Sequence, residues 1–138
     1  MAEVFAGFVV GYALAVALTP VAAIALARAS DRASFAGRVA PPGTSIIALS
    51  VVLHVAGMLA LTAIGLVLGM ALGGIEDRRP AGGMGSPNIA YTLIVVALTA
   101  VIFIPALALP ALRRYTFAAA WLFAASFGWA LPWLAKLA

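Results

Sequence analysis

Four stretches of the chain are almost free of charged residues, and each is long enough to cross a lipid bilayer. A helix that spans the hydrocarbon core needs about 20 consecutive apolar residues. A spanning strand would instead alternate apolar and polar residues over about 10 positions, and these stretches are apolar on all sides. We therefore predict four transmembrane helices, over residues 4–27, 45–72, 89–112 and 117–135.

The composition agrees with a membrane protein and leaves little room for anything else. Of the 138 residues, 66% are hydrophobic and only 9% are charged, whereas a soluble domain carries about 25% charged residues. The four stretches use most of the chain. We expect one transmembrane domain over residues 1–138, an all-α integral membrane four-helix bundle whose first partner is the lipid bilayer.

The connections between the predicted helices differ in length. Pro41-Pro42-Gly43 ends the first loop, and residues 73–88 form a second loop rich in glycine and proline, a composition that disfavours regular structure. The third connection, Arg113-Arg114-Tyr115-Thr116, is too short for anything but a tight turn. Helices three and four should therefore form a tight antiparallel hairpin.

The arginines predict an orientation, since basic residues accumulate in cytoplasmic loops. The first and third connections carry five basic residues and the opposite side carries three. We therefore expect an N-out/C-out arrangement, with Phe5, Tyr91, Trp129 and Trp133 near the outer interface as an aromatic belt. The alanine and arginine bias, with a single lysine, suggests a GC-rich bacterial genome and hence a bacterial cytoplasmic membrane. The five basic residues of the first and third connections are Arg28, Arg32, Arg38, Arg113 and Arg114. The three on the opposite side are Arg78, Arg79 and Lys136.

The high isoelectric point, about 10.4, does not indicate a nucleic-acid partner. The basic residues lie at the ends of the apolar stretches, where arginine meets lipid headgroups, and no basic stripe interleaved with aromatic residues occurs. The chain has no cysteine, which excludes disulfides and thiolate metal sites.

Glycines recur every four residues in helix two, at Gly65, Gly69 and Gly73. Such spacing lets another backbone approach closely. Helical rotation places Ser50, His54 and Gly57 near the same face. We predict a helix-packing interface that serves either a partner subunit or contacts inside the bundle, formed by Gly65, Gly69, Gly73, Gly57, Ser50, Gly7 and Gly11.

His54 is the only histidine and lies about ten residues into helix two. An ionisable group at such depth suggests a function, here an axial haem ligand, a proton carrier or a hydrogen-bond donor to a quinone. The alternative is a neutral histidine bonded to a helix carbonyl or to Ser50, one turn away. No second histidine or cysteine accompanies it, so we expect no metal site and no cofactor, and His54 is the one candidate cofactor-binding residue.

The chain contains no recognisable catalytic set, because every carboxylate lies in a loop or at the terminus. We do not expect an enzyme. The favoured function is a small accessory or structural subunit of a larger membrane complex that packs through the glycine face of helix two. The alternative is a small transporter or channel made of several copies, with Ser50 and His54 facing a lumen.

Overall fold

The computed structural model describes residues 1–29, 38, 41, 43–76, 88–110 and 112–137, and these contain helices and no strands. Four of the helices in this part of the chain are long and apolar enough to cross a membrane, which confirms the predicted all-α membrane class. The fourth is continuous but irregular, with a π-helical turn inside it. The elements are α1 (Ala2–Ala29), α2 (Ile46–Glu76), α3 (Ile89–Leu107), α4 (Arg113–Ala125), the π-helical turn (Ser126–Ala130) and α5 (Leu131–Leu137).

The second helix is longer than predicted at its carboxyl end. It continues through Gly73 and Gly74 to Glu76. The predicted loop from Gly73 therefore begins later than expected, and its residues 77–87 lie outside those that the structure describes.

The predicted position of the third connection is wrong. Residues 113–116 form the first turn of α4, and the connection lies between the end of α3 at Leu107 and the start of α4 at Arg113 instead. Pro110 explains the shift, because proline disfavours helical geometry at the residue before it. Leu112 then donates its N–H to the Leu109 carbonyl at 3.1 Å, which closes a tight turn ahead of α4.

α1 lies at the centre of the fold, packed against α2 along its length and against the fourth span on its other side. One apolar core joins all four spans. Phe123 stands at its middle, edge-on to Phe127 at 4.7 Å and to Phe103 at 5.5 Å between ring centroids. The buried members are Val10, Leu14, Leu68, Leu72, Tyr91, Val95, Phe123, Phe127 and Leu131.

The π-helical turn follows from Pro132. The N–H of Leu131 donates to the Ser126 carbonyl, five residues back, so the next donor in this register would be residue 132. Proline has no N–H, and the Phe127 carbonyl is left without a helical partner. The Tyr91 hydroxyl donates to that carbonyl at 2.8 Å, and this bond ties α3 to the irregular part of the fourth span.

Tyr91 is therefore not a residue of the aromatic belt, contrary to the sequence-based expectation. Its side chain is fully buried, whereas Phe5 and Trp129 are 65% and 62% exposed. The reason is that its hydroxyl satisfies a buried carbonyl, which in lipid would otherwise carry a penalty of several kcal/mol.

We expect Tyr91→Phe to lower the free energy of unfolding by about 1–3 kcal/mol, since it leaves the Phe127 carbonyl buried without a donor. Thermal unfolding in detergent would measure the loss. Tyr12→Phe is the control, because Tyr12 is 45% exposed. In a Pro132→Ala background the cost should shrink, because residue 132 then supplies an N–H. Equal costs in both backgrounds would contradict this account of the turn.

Candidate functional site

α1 and α2 run antiparallel with their backbones in contact, and the residues between them are small. We call this contact the α1–α2 seam; its residues are Gly7, Gly11, Ala15 and Thr19 on α1, and His54, Gly57, Leu61, Gly65 and Gly69 on α2. A β-carbon added at Gly7 would overlap the Gly65 carbonyl oxygen, and one added at Gly65 would overlap that of Gly7. No other residue type fits this approach without moving the helices apart.

The same close approach repeats at both neighbouring turns. A β-carbon on Gly11 would overlap the Leu61 carbonyl, and one on Gly69 would overlap the Glu3 carbonyl. Four-residue spacing on both helices thus keeps the two backbones together over several turns, as small residues allow in membranes.

The structure places five of the seven predicted interface residues in close contact within this chain. Gly57 is among them, whereas Ser50 is half-buried and Gly73 has room for a side chain, with Glu3 atoms no nearer than 3.7 Å. The glycine face of α2 is therefore filled by α1.

His54 is hydrogen-bonded to Thr19 across the seam. Thr19 Oγ1 lies 3.1 Å from His54 Nδ1 and donates to the Ala15 carbonyl at 2.8 Å. Gly57 makes room for this arrangement, because a β-carbon there would lie 2.6 Å from the Thr19 methyl group. Thr19 is buried, with 5% of its surface exposed, and His54 is half-buried.

These two contacts favour the tautomer of His54 that carries its proton on Nδ1. A threonine hydroxyl has one hydrogen to donate, and the Ala15 carbonyl can only accept. The Thr19 hydrogen therefore points to Ala15, and His54 Nδ1 must be the donor to Thr19 Oγ1. In a neutral imidazole the other nitrogen, Nε2, then carries the lone pair.

The predicted alternatives for His54 included a bond to Ser50 or to a helix carbonyl, and its partner is Thr19 instead. Sequence reasoning missed Thr19. The signal was present, because Thr19 continues the four-residue spacing of Gly7, Gly11 and Ala15. Hydroxyls in apolar helices commonly bond to their own backbone, so the spacing alone does not indicate a second contact.

Among the residues that the structure describes, no three histidine, cysteine, aspartate or glutamate side chains come close enough to hold a metal ion. Nε2 of His54 is the one imidazole lone pair in the chain.

Comparison with known proteins assigns no family. No protein-family model, no curated protein and no solved structure matches the chain. The residues themselves therefore carry the functional argument.

We expect Gly65→Ala to destabilise the protein, because its methyl group would overlap the Gly7 carbonyl and overpacking of this kind costs about 1–3 kcal/mol. Gly74→Ala is the matched control on the same helix, since nothing lies within 4 Å of its added carbon. The control should be neutral or stabilising by up to about 1 kcal/mol, from helix propensity. Comparable unfolding temperatures for both variants would argue against the backbone contact.

Proposed function

We propose that the chain is a small accessory or structural subunit of a larger membrane complex. The observation that carries the proposal is the uneven burial of its helices. The most apolar part of α1 is 39% buried within the chain, whereas that of α2 and of α3 is only 11% buried. Both outer helices offer extended apolar surface to another membrane helix.

The polar side chains inside the spans support the same proposal, because they serve the helices themselves. Thr99 donates to the Val95 carbonyl at 2.7 Å, and Thr62 donates to the Met58 carbonyl one turn back. With Tyr91 bonded to Phe127, the surface that these helices turn outward is largely apolar. Such a surface suits packing rather than catalysis, and we propose no catalytic role.

The seam changes where the partner would dock. Since α1 fills the glycine face of α2, we place the contact on the opposite face, at Val52, Val55 and Leu59, which are 65%, 51% and 64% exposed. A partner helix or a second copy of this chain would cover these side chains. The homo-oligomeric transporter or channel remains the alternative, but Nδ1 of His54 faces α1, and no described contact favours a lumen.

We further propose an N-out/C-out orientation in a bacterial cytoplasmic membrane. Four described arginines, all exposed, lie at the end of the fold opposite the amino terminus, whereas the described residues at the other end include Glu3 and Lys136. In the sequence Arg78 and Arg79 belong to the loop on that second side, so the whole chain has five basic residues against three. This asymmetry is the one that the positive-inside rule associates with a cytoplasmic face. The four are Arg28, Arg38, Arg113 and Arg114.

Single cysteines would test the orientation, since the chain has none of its own. Gly74→Cys and Ser45→Cys place exposed thiols at opposite ends of α2. In intact cells a membrane-impermeant maleimide should label the first and reach the second only after lysis. The reverse pattern would overturn the proposed orientation.

A photo-crosslinking amino acid at Leu59 would test the accessory role. Leu59 is 64% exposed, whereas Leu68, the control position on the same helix, is 2% exposed. We expect Leu59 to crosslink to one defined membrane protein in native membranes, and Leu68 only within the chain. Crosslinks from Leu59 to lipid alone, with no protein recovered in a mild-detergent pull-down, would count against an accessory subunit.

A further inference from the structure

One ring nitrogen of His54, Nε2, takes no part in the contact between α1 and α2. The described residues supply a partner for Nδ1 and none for Nε2. No buried side-chain nitrogen or oxygen in this part of the chain lacks a partner. Nε2 therefore keeps some accessible surface on the chain.

We propose that Nε2 of His54 is a binding site for an acidic hydroxyl carried by a lipid-soluble molecule, either a phenolic head group or a protonated fatty acid. The lone pair accepts a hydrogen bond, so the ligand must donate one. This inference does not depend on the accessory role, because it concerns a ligand and not a protein partner.

The surroundings of His54 select the kind of molecule. Val51, which lies three residues before His54 on α2, is apolar and 59% exposed. In hydrocarbon an acceptor without a donor is costly, and water is scarce there. A ligand that reaches Nε2 has to arrive through the lipid phase, with an apolar body and one polar group.

Thr19 acts as a positioning residue for this site. By accepting a hydrogen bond from the N–H of Nδ1, Thr19 holds the ring in one tautomer and one orientation, as a hydrogen bond at the second ring nitrogen does for other functional histidines. Without that acceptor the proton can move to Nε2, and the site would then present a donor instead of a lone pair. A quinone carbonyl, which only accepts, would fit that other tautomer.

Nitrogen NMR on protein labelled with ¹⁵N-histidine tests the tautomer directly, because the chain has a single histidine. We expect a protonated Nδ1 and an unprotonated Nε2 in lipid nanodiscs. Thr19→Val should shift the population toward protonated Nε2. Thr99→Val, which removes a hydroxyl bonded only to its own helix, should leave the spectrum unchanged.

A second experiment compares the binding of para-octylphenol with that of its methyl ether. The two compounds differ in the hydroxyl hydrogen that the phenol can donate. The phenol should bind about tenfold more tightly, the value of one net hydrogen bond. Thr19→Val should weaken phenol binding, because the apparent affinity falls in proportion to the population of the Nδ1-protonated tautomer. Dodecanoic acid against its methyl ester distinguishes a fatty acid from a phenol as the ligand.

Three results would overturn the proposal. One is an Nε2-protonated ring in the unmodified protein, and another is equal binding of each donor and its methylated counterpart. The third is a haem absorption band in the protein as purified, because iron would then hold the lone pair. Preference for the phenol or for the acid, abolished by His54→Leu, would support it and name the source.

Discussion

The contact between the α1 and α2 backbones is the interaction on which the rest of the structure depends. Glycines on both helices bring carbonyl groups of one helix against α-carbons of the other. In lipid no hydrophobic effect drives helices together, so such close packing has to supply the attraction. Because α1 takes the middle position, the same contact places it against the fourth span and allows one core to join all four spans.

A second constraint comes from the backbone itself, which must find its hydrogen-bond partners within the protein. Pro132 removes a donor from the fourth span, and a tyrosine from α3 replaces it. Thr19, Thr62 and Thr99 each bond back to their own helix. These threonine side chains thus satisfy helix carbonyls, whereas Nε2 of His54 has no partner among the described residues.

Length and apolar composition were sufficient to predict the four spans, and four-residue glycine spacing was sufficient to predict a close helix contact. The positions of Pro110 and Pro132 were visible but their consequences were not. Each proline removes a backbone hydrogen-bond donor. At Pro110 the chain turns, whereas at Pro132 it continues through a π-helical turn, and the difference depends on whether a neighbouring helix can supply a donor for the freed carbonyl. Sequence likewise could not pair Thr19 with His54, because these residues are 35 positions apart along the chain and their pairing depends on the register of two helices.

That register has a weakness that the Thr19–His54 bond removes. Small residues repeat every four positions on α1, and on α2 the repeat Gly57, Gly65 and Gly69 is interrupted only by Leu61. Sliding α1 along α2 by about one turn, roughly 6 Å at the helical rise, would again face several small residues with small residues. After such a slide His54 would face an alanine at position 15 or 23, with no side-chain acceptor for Nδ1. The Thr19 methyl group would also lose the space that the missing side chain of Gly57 leaves for it. The hydrogen bond between Thr19 and His54 therefore adds a contact that favours the observed alignment over one shifted by a turn.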